Sequence, residues 1–168
     1  MKKDMLIRSL LTILFLLMTI SFFYNQYQLR YGQAVYTFDI ETEDLYIRDI
    51  EIVAVSPYAL FITGHFLEMN GDNKSFDGIS YGFSMDGTMI LSRSQAGDPF
   101  TFPDAANGKT YSGTGSLIKD IRVHKQDSLQ VEIHYIVNGE PKDIAGDIKL
   151  ADVIKPFSYN NHKVVHLR

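Results

Sequence analysis

The feature that most constrains this chain is its first apolar run. From Leu6 to Tyr24 it reads LIRSLLTILFLLMTISFFY, and its only charge is Arg8. A helix rises 1.5 Å per residue, so nineteen residues reach about 28 Å, close to the roughly 30 Å hydrocarbon core of a bilayer. Lys2 and Lys3 precede the run. The positive-inside rule therefore predicts a cytoplasmic n-region over residues 1–5, a transmembrane segment over 6–24 and everything later outside the cell membrane. A cleaved leader needs small residues after the apolar stretch. Here the run exits into Ser21-Phe22-Phe23-Tyr24-Asn25-Gln26-Tyr27, which is bulky and has no small-x-small site. The reading is an uncleaved signal anchor, with the lipid bilayer as its first partner. A cleaved signal and a buried core helix are the alternatives. Phe22, Phe23, Tyr24 and Tyr27 suit an aromatic belt at the outer interface.

Removing the leader changes the charge arithmetic. The whole chain of 168 residues has 16 basic and 20 acidic side chains, net −4. Residues 1–24 hold Lys2, Lys3 and Arg8 against Asp4, so the rest carries 13 basic and 19 acidic, net −6. An acidic exported domain is a poor fit to nucleic acid or anionic lipid. Cysteine is absent, which excludes a disulfide framework, thiolate zinc sites and thiol nucleophiles.

Residues 25–33 are polar and read as a linker. From Ala34 the apolar pattern takes period two and keeps it to about residue 155, predicting strands rather than helices. Expected strands are 34–40, 45–55, 59–69 (apolar on both faces), 79–85, 88–94, 117–124, 128–137 and 143–150. Ile50, Ile52 and Ala54 share one face of the second. Leu117–His124 and Ser128–Val137 are expected to form a hairpin across Lys125-Gln126-Asp127, and Asp86-Gly87 and Asn138-Gly139 are hairpin turns. A two-residue turn at the latter pairs Val137 with Glu140, Ile133 with Ile144, Val131 with Gly146 and Leu129 with Ile148, and sets His134 opposite Asp143. A one-residue slip would place isoleucines against charges. Seven or eight strands at this spacing predict an all-β fold: an antiparallel β-sandwich, immunoglobulin-like, or a partly open barrel. The tail, 156–168, reads as a final strand near Lys163–Leu167 or a frayed end.

Candidate sites are few. Gly78-Ile79-Ser80-Tyr81-Gly82 fits the G-x-S-x-G of a nucleophile elbow, with Asp104 and His134 available as partners, but the motif opens a strand and no helix follows. Glu68, Asp72 and Asp77, with Asn70 and Asn73, crowd one loop with oxygen ligands, a candidate calcium site without EF-hand spacing. His65, His124, His134, His162 and His166 are scattered. His162 and His166 are four apart, which suits a metal only on a helix. No cofactor motif is present, since Gly113-Thr114-Gly115-Ser116 lacks the lysine of a phosphate loop. The most promising stretch is Gln95–Ser116, a long connection carrying Phe100, Phe102 and Tyr111 among prolines and glycines. Stiff backbone and aromatic area suit recognition; the alternative is a loop folded back to cap the sandwich.

These features point to a binding module rather than an enzyme. The expected partner is another envelope protein or an exported one, including a toxin that such a tethered domain neutralises. A structural subunit of an envelope assembly and a surface hydrolase using Ser80 are the competing readings.

Overall fold

The computed structural model describes residues 2–31, 34–56, 58–101, 105, 108–113, 115–155 and 163–167, and side chains within 2–31 only for 8–26. The chain divides into two compact units, Met1–Gly32 and Gln33–Arg168.

The first unit is one helix, α1 (Lys2–Tyr31). Its segment Arg8–Gln26 is long and apolar enough to cross a membrane, and none of it is buried. The two threonines within it return their hydroxyls to the helix: Thr12 Oγ1 donates to the Arg8 carbonyl and Thr19 Oγ1 to that of Phe15, each at 2.9 Å. Such back-bonding removes the need for water. The helix overruns the expected linker: Asn25–Tyr31 is helical. No Gly or Pro interrupts the sequence before Gly32, and extending an existing helix adds one bond per residue fixed.

The second unit is mostly strand: β1 (Ala34–Glu41), β2 (Leu45–Ser56), β3 (Ala59–Ile62), β4 (His65–Met69), β5 (Phe76–Met85), β6 (Thr88–Ala96), β7 (Lys109–Ser112), β8 (Ser116–Lys119), β9 (Ser128–Val137), β10 (Glu140–Lys149) and β11 (Lys163–His166), with one helical turn, α2 (Leu150–Val153). Two sheets form and neither closes into a barrel. One runs β11-β1-β2-β3-β8, with β4 pairing the other end of β2 and β7 pairing β4; the second runs β10-β9-β5-β6. Inward residues of both sheets join one core, including Phe38, Ile47, Ile52, Phe83, Leu129 and Ile133, all fully buried. Each such side chain contributes about 1.5–3 kcal/mol relative to exposure.

The hairpins expected at Asp86-Gly87 and Asn138-Gly139 both form, and the one at Asn138-Gly139 has the expected register. Val137 pairs Glu140, Ile133 pairs Ile144, Val131 pairs Gly146, Leu129 pairs Ile148 and His134 pairs Asp143. Met85 pairs Thr88 across Asp86-Gly87. Each turn has positive φ at both central residues (Asp86 48°, Gly87 74°; Asn138 53°, Gly139 81°), the geometry that matches strand twist.

Two expectations need correction. The 59–69 strand is broken at Thr63-Gly64, so that β3 and β4 pair different parts of β2. A Cβ on Gly64 would collide with the Tyr111 hydroxyl and the Gly113 carbonyl, so close packing of β7 requires glycine there. The 117–124 strand does not form a hairpin with 128–137. Only Ser116–Lys119 is strand, and it pairs β3 in the other sheet. Asp120 (φ 60°) ends it, and a turn follows in which Asp127 Oδ2 accepts the His124 N–H at 2.6 Å. In the tail, the expected final strand forms, over Lys163–His166. β11 lies parallel to β1, and Leu167 is buried over Gly146, where a Cβ would be 2.6 Å from Leu167 Cδ2. These divisions raise the strand count among the described residues from the expected seven or eight to eleven.

Candidate functional site

The outward faces of the two sheets differ in kind. On the four-stranded sheet, β5 and β6 present mostly small residues (Gly78, Ser80, Gly82, Ser84, Ser92, Ser94 and Ala96) with the exposed Met89 over Gly82, and β9 adds Gln130, Glu132, His134 and Ile136. On the larger sheet, β2, β4 and β7 present aromatic rings and cations. Two cross-strand rows form: Tyr46–Glu68–Lys109 and Arg48–Phe66–Tyr111.

These side chains interlock. The Arg48 guanidinium carbon lies 3.8 Å from the centroid of the Tyr46 ring, and Lys109 Nζ 4.3 Å from that of Phe66. Phe66 and Tyr111 meet edge to face at 5.2 Å. Arg48 Nε donates to Glu68 Oε2 at 3.0 Å and Nη1 to Asp39 Oδ2 at 3.2 Å. Partial burial lowers the Arg48 pKa, but its hydrogen bonds to Glu68 and Asp39 outweigh it and hold the group above its ordinary value. Tyr111 remains more than half exposed. The face continues over β2, β3 and β8 as an apolar row, Val53–Phe61–Leu117, with Leu117 exposed.

A bulge creates this face. β1 and β2 shift register between Phe38 and Ile40, opposite Asp49, whose φ is 60°. Tyr46 and Arg48 point outward before the bulge and Glu51 and Val53 after it, while Ile47 and Ile50 both stay buried. Asp39 secures the bulge by accepting the Asp49 N–H at 2.8 Å.

The sequence-predicted aromatics divide. Tyr111 joins this face. Phe100 folds back instead: it is partly buried, meets Phe76 edge to face at 5.1 Å, and Asp98 Oδ1 accepts its N–H at 2.9 Å. Phe102 lies outside the described residues. The long connection itself contains β7 and the start of β8.

The calcium candidates are not brought together. Glu68 is engaged by Arg48 on one sheet, Asp72 is exposed in a loop and Asp77 is exposed on β5 of the other sheet. Among the described residues no three metal-ligating side chains converge. His166 lies on a strand, its Nδ1 3.2 Å from Glu41 Oε2, and His162 is outside the described residues.

Ser80 faces His134 across β5–β9, and His134 Nδ1 lies 2.6 Å from Asp143 Oδ1. The row resembles a triad in composition; Asp104, the other partner weighed, is outside the described residues. It stands on an open sheet face, however. β5 is paired on both sides, by β6 and β9, so the ladders take its N–H groups and leave none to hold an oxyanion.

A cleft of about 550 Å³ opens where β10 faces β1 and β11, lined by Glu41, Glu43, Tyr135, Lys142, Asp143 and Leu167 among others. At its floor Tyr135 donates to Asp44 Oδ2 at 2.9 Å, and burial, with that carboxylate, pushes the phenol up to about 12. Its carboxylates are largely engaged: Glu41 by His166, Asp143 by His134 and Asp44 by Lys74.

No protein-family model, curated protein or solved structure matches the chain. The geometry of the site is therefore what bears on function.

Proposed function

We propose that this chain is a membrane-anchored, extracytoplasmic binding module. In this reading α1 crosses the membrane with its N-terminus in the cytoplasm. The β unit, an immunoglobulin-like sandwich, then stands outside and holds an envelope or exported protein on the outward face of β2, β4 and β7. An exported toxin neutralised at the membrane is one such partner. The observation that carries the reading is the interlocked set Tyr46, Arg48, Phe66, Lys109 and Tyr111 on one outward sheet face. Tyrosine, phenylalanine and arginine are the residues enriched at protein interfaces and their hot spots. Cross-strand packing already fixes these side chains, so little rotamer entropy remains to be lost on docking. The adjoining Val53–Phe61–Leu117 row extends the contact area.

A photoreactive residue placed at Tyr111 tests this, in the full chain on alkali-washed membranes from its own cells. Position 111 should yield an adduct of discrete mass, and position Glu132, on the opposite sheet, should not. Loss of the chain in the wash would defeat the anchor. Equal yield at both positions, or none, would defeat the face.

A further inference from the structure

We propose that the inner side of the β4–β7 pair holds an acid-released latch on this face, in which protonation of His65 loosens β4 and β7 and disassembles the Phe66–Tyr111 platform. The latch stands on its own geometry; only its role in regulating partner contact rests on the reading above. His65 and Ser112 are cross-strand partners, and the next pair along is Phe66 with Tyr111. One pair points into the sandwich and the other out. Whatever opens the inner pair therefore moves the outer one.

His65 is 1% exposed. Its Nε2 lies 2.6 Å from the Tyr81 hydroxyl and its Nδ1 3.5 Å from the Thr63 carbonyl. The same Tyr81 hydroxyl meets Ser112 Oγ, so the chain His65–Tyr81–Ser112 ties β4 and β7 to the opposite sheet. Neutral imidazole satisfies every member. Nδ1–H donates to Thr63, Nε2 accepts from Tyr81, and Tyr81 accepts from Ser112; the tautomer follows from these partners. A second proton makes Nε2 a donor. Tyr81 must then turn its own proton toward Ser112, and the Ser112 proton loses its acceptor.

The charge would also be poorly placed. The groups facing His65 are Tyr81 from β5, Arg93 from β6, Ser112 from β7, and the Thr63 carbonyl. Among the described residues no carboxylate bonds or ion-pairs with it. Burial first, and then the positive Arg93, hold His65 below the usual histidine range, against the raising effect of its Thr63 bond. The element held is slight: β7 has four residues and pairs only β4 among the described strands. The Arg93 guanidinium reaches the end of this strand, 2.7 Å from where a Gly113 Cβ would stand.

The test is hydrogen exchange on the full chain in detergent micelles, read as protection factors corrected for intrinsic rates. From pH 7.5 to 5.5, opening of β4 and β7 should rise about tenfold, the effect of one proton taken up over the unit below the ordinary histidine value of about 6.5. β9 and β10 should stay unchanged. In His65→Gln the rise should vanish. No rise, a rise shared equally by β9 and β10, or a rise that persists in His65→Gln would each overturn the latch. The wild-type pattern decides even if the variant fails to fold. The latch can hold while position 111 captures no partner, so the two readings fail separately.

Discussion

Replacing Asp39 separates two roles of one carboxylate. Oδ1 accepts the Asp49 N–H at 2.8 Å, and Oδ2 accepts from Arg48 at 3.2 Å. The Asp39 side chain is 12% exposed and that of Arg48 26%, so the ion pair is only partly screened. Asp39→Ala leaves the partly buried bulge N–H without its acceptor, at about 1–3 kcal/mol for an unmet donor, and removes one arm of the Arg48 clamp. The Coulombic part of that clamp, discounted for Glu68 holding the same guanidinium, adds about 0.5–1 kcal/mol. The expected loss is about 1.5–4 kcal/mol. Asp39→Asn is the control. Its amide oxygen can still accept the Asp49 N–H, so it should lose only the charge, about 0.5–1 kcal/mol. Urea unfolding of the full chain in micelles at pH 7, with unchanged slope, measures both. Equal costs for Ala and Asn, or less than about 0.5 kcal/mol for Ala, would refute the role given to the bulge. The consequence reaches the proposed face. Without the bulge Tyr46 and Arg48 cannot point outward while Ile47 and Ile50 both stay inside, because side chains alternate strictly in an unbulged strand. Asp39→Ala should therefore also reduce adduct yield at position 111.

Two further outcomes follow from single sites. Hydrogen bonds from Lys74 and Tyr135 outweigh the burial of Asp44 and lower its pKa, so the unfolded chain binds its proton first on acidification; the stability it contributes is complete above the unfolded value near 3.9 and is lost as pH falls through the folded one. Urea midpoints taken from pH 5 to 2.5 should decline less steeply in Asp44→Asn than in the wild type. Gly139 has φ 81°, and a methyl placed on its Cα would meet no atom within 4 Å, so Gly139→Ala should cost only the backbone preference, about 1–2 kcal/mol, as a lowered urea midpoint with the hairpin register intact by NMR.

Local physics made much of the fold legible. Asn138-Gly139 fixes a two-residue turn, and the turn fixes ten cross-strand pairs, because only one register keeps Ile133, Ile144, Leu129 and Ile148 together. What escaped was non-local. Whether Leu117 follows its neighbours into one sheet or crosses to β3 in the other depends on which edge is vacant, and no period-two pattern records that. The extension of α1 through Asn25–Tyr31 escaped for another reason: polar composition suggested a linker, while helical continuity needs only the absence of breakers.

The proposed face was half visible for the same reason. Tyr46 and Arg48, Phe66 and Glu68, Lys109 and Tyr111 are each two residues apart, so each pair had to share a side of its strand. Alternation states that two residues face the same way. It does not state whether that way is in or out, and aromatic residues are welcome in either place. The assignment needed two facts from outside each segment. Leu67, between Phe66 and Glu68, is buried, which turns both neighbours outward. And β7, expected as part of a loop, joins β4 as a strand, which puts Tyr111 beside Phe66 rather than at a loop tip beside Phe100. A binding face made of one pair from each of three strands is a property of the sheet order, and the same order places His65 directly behind it.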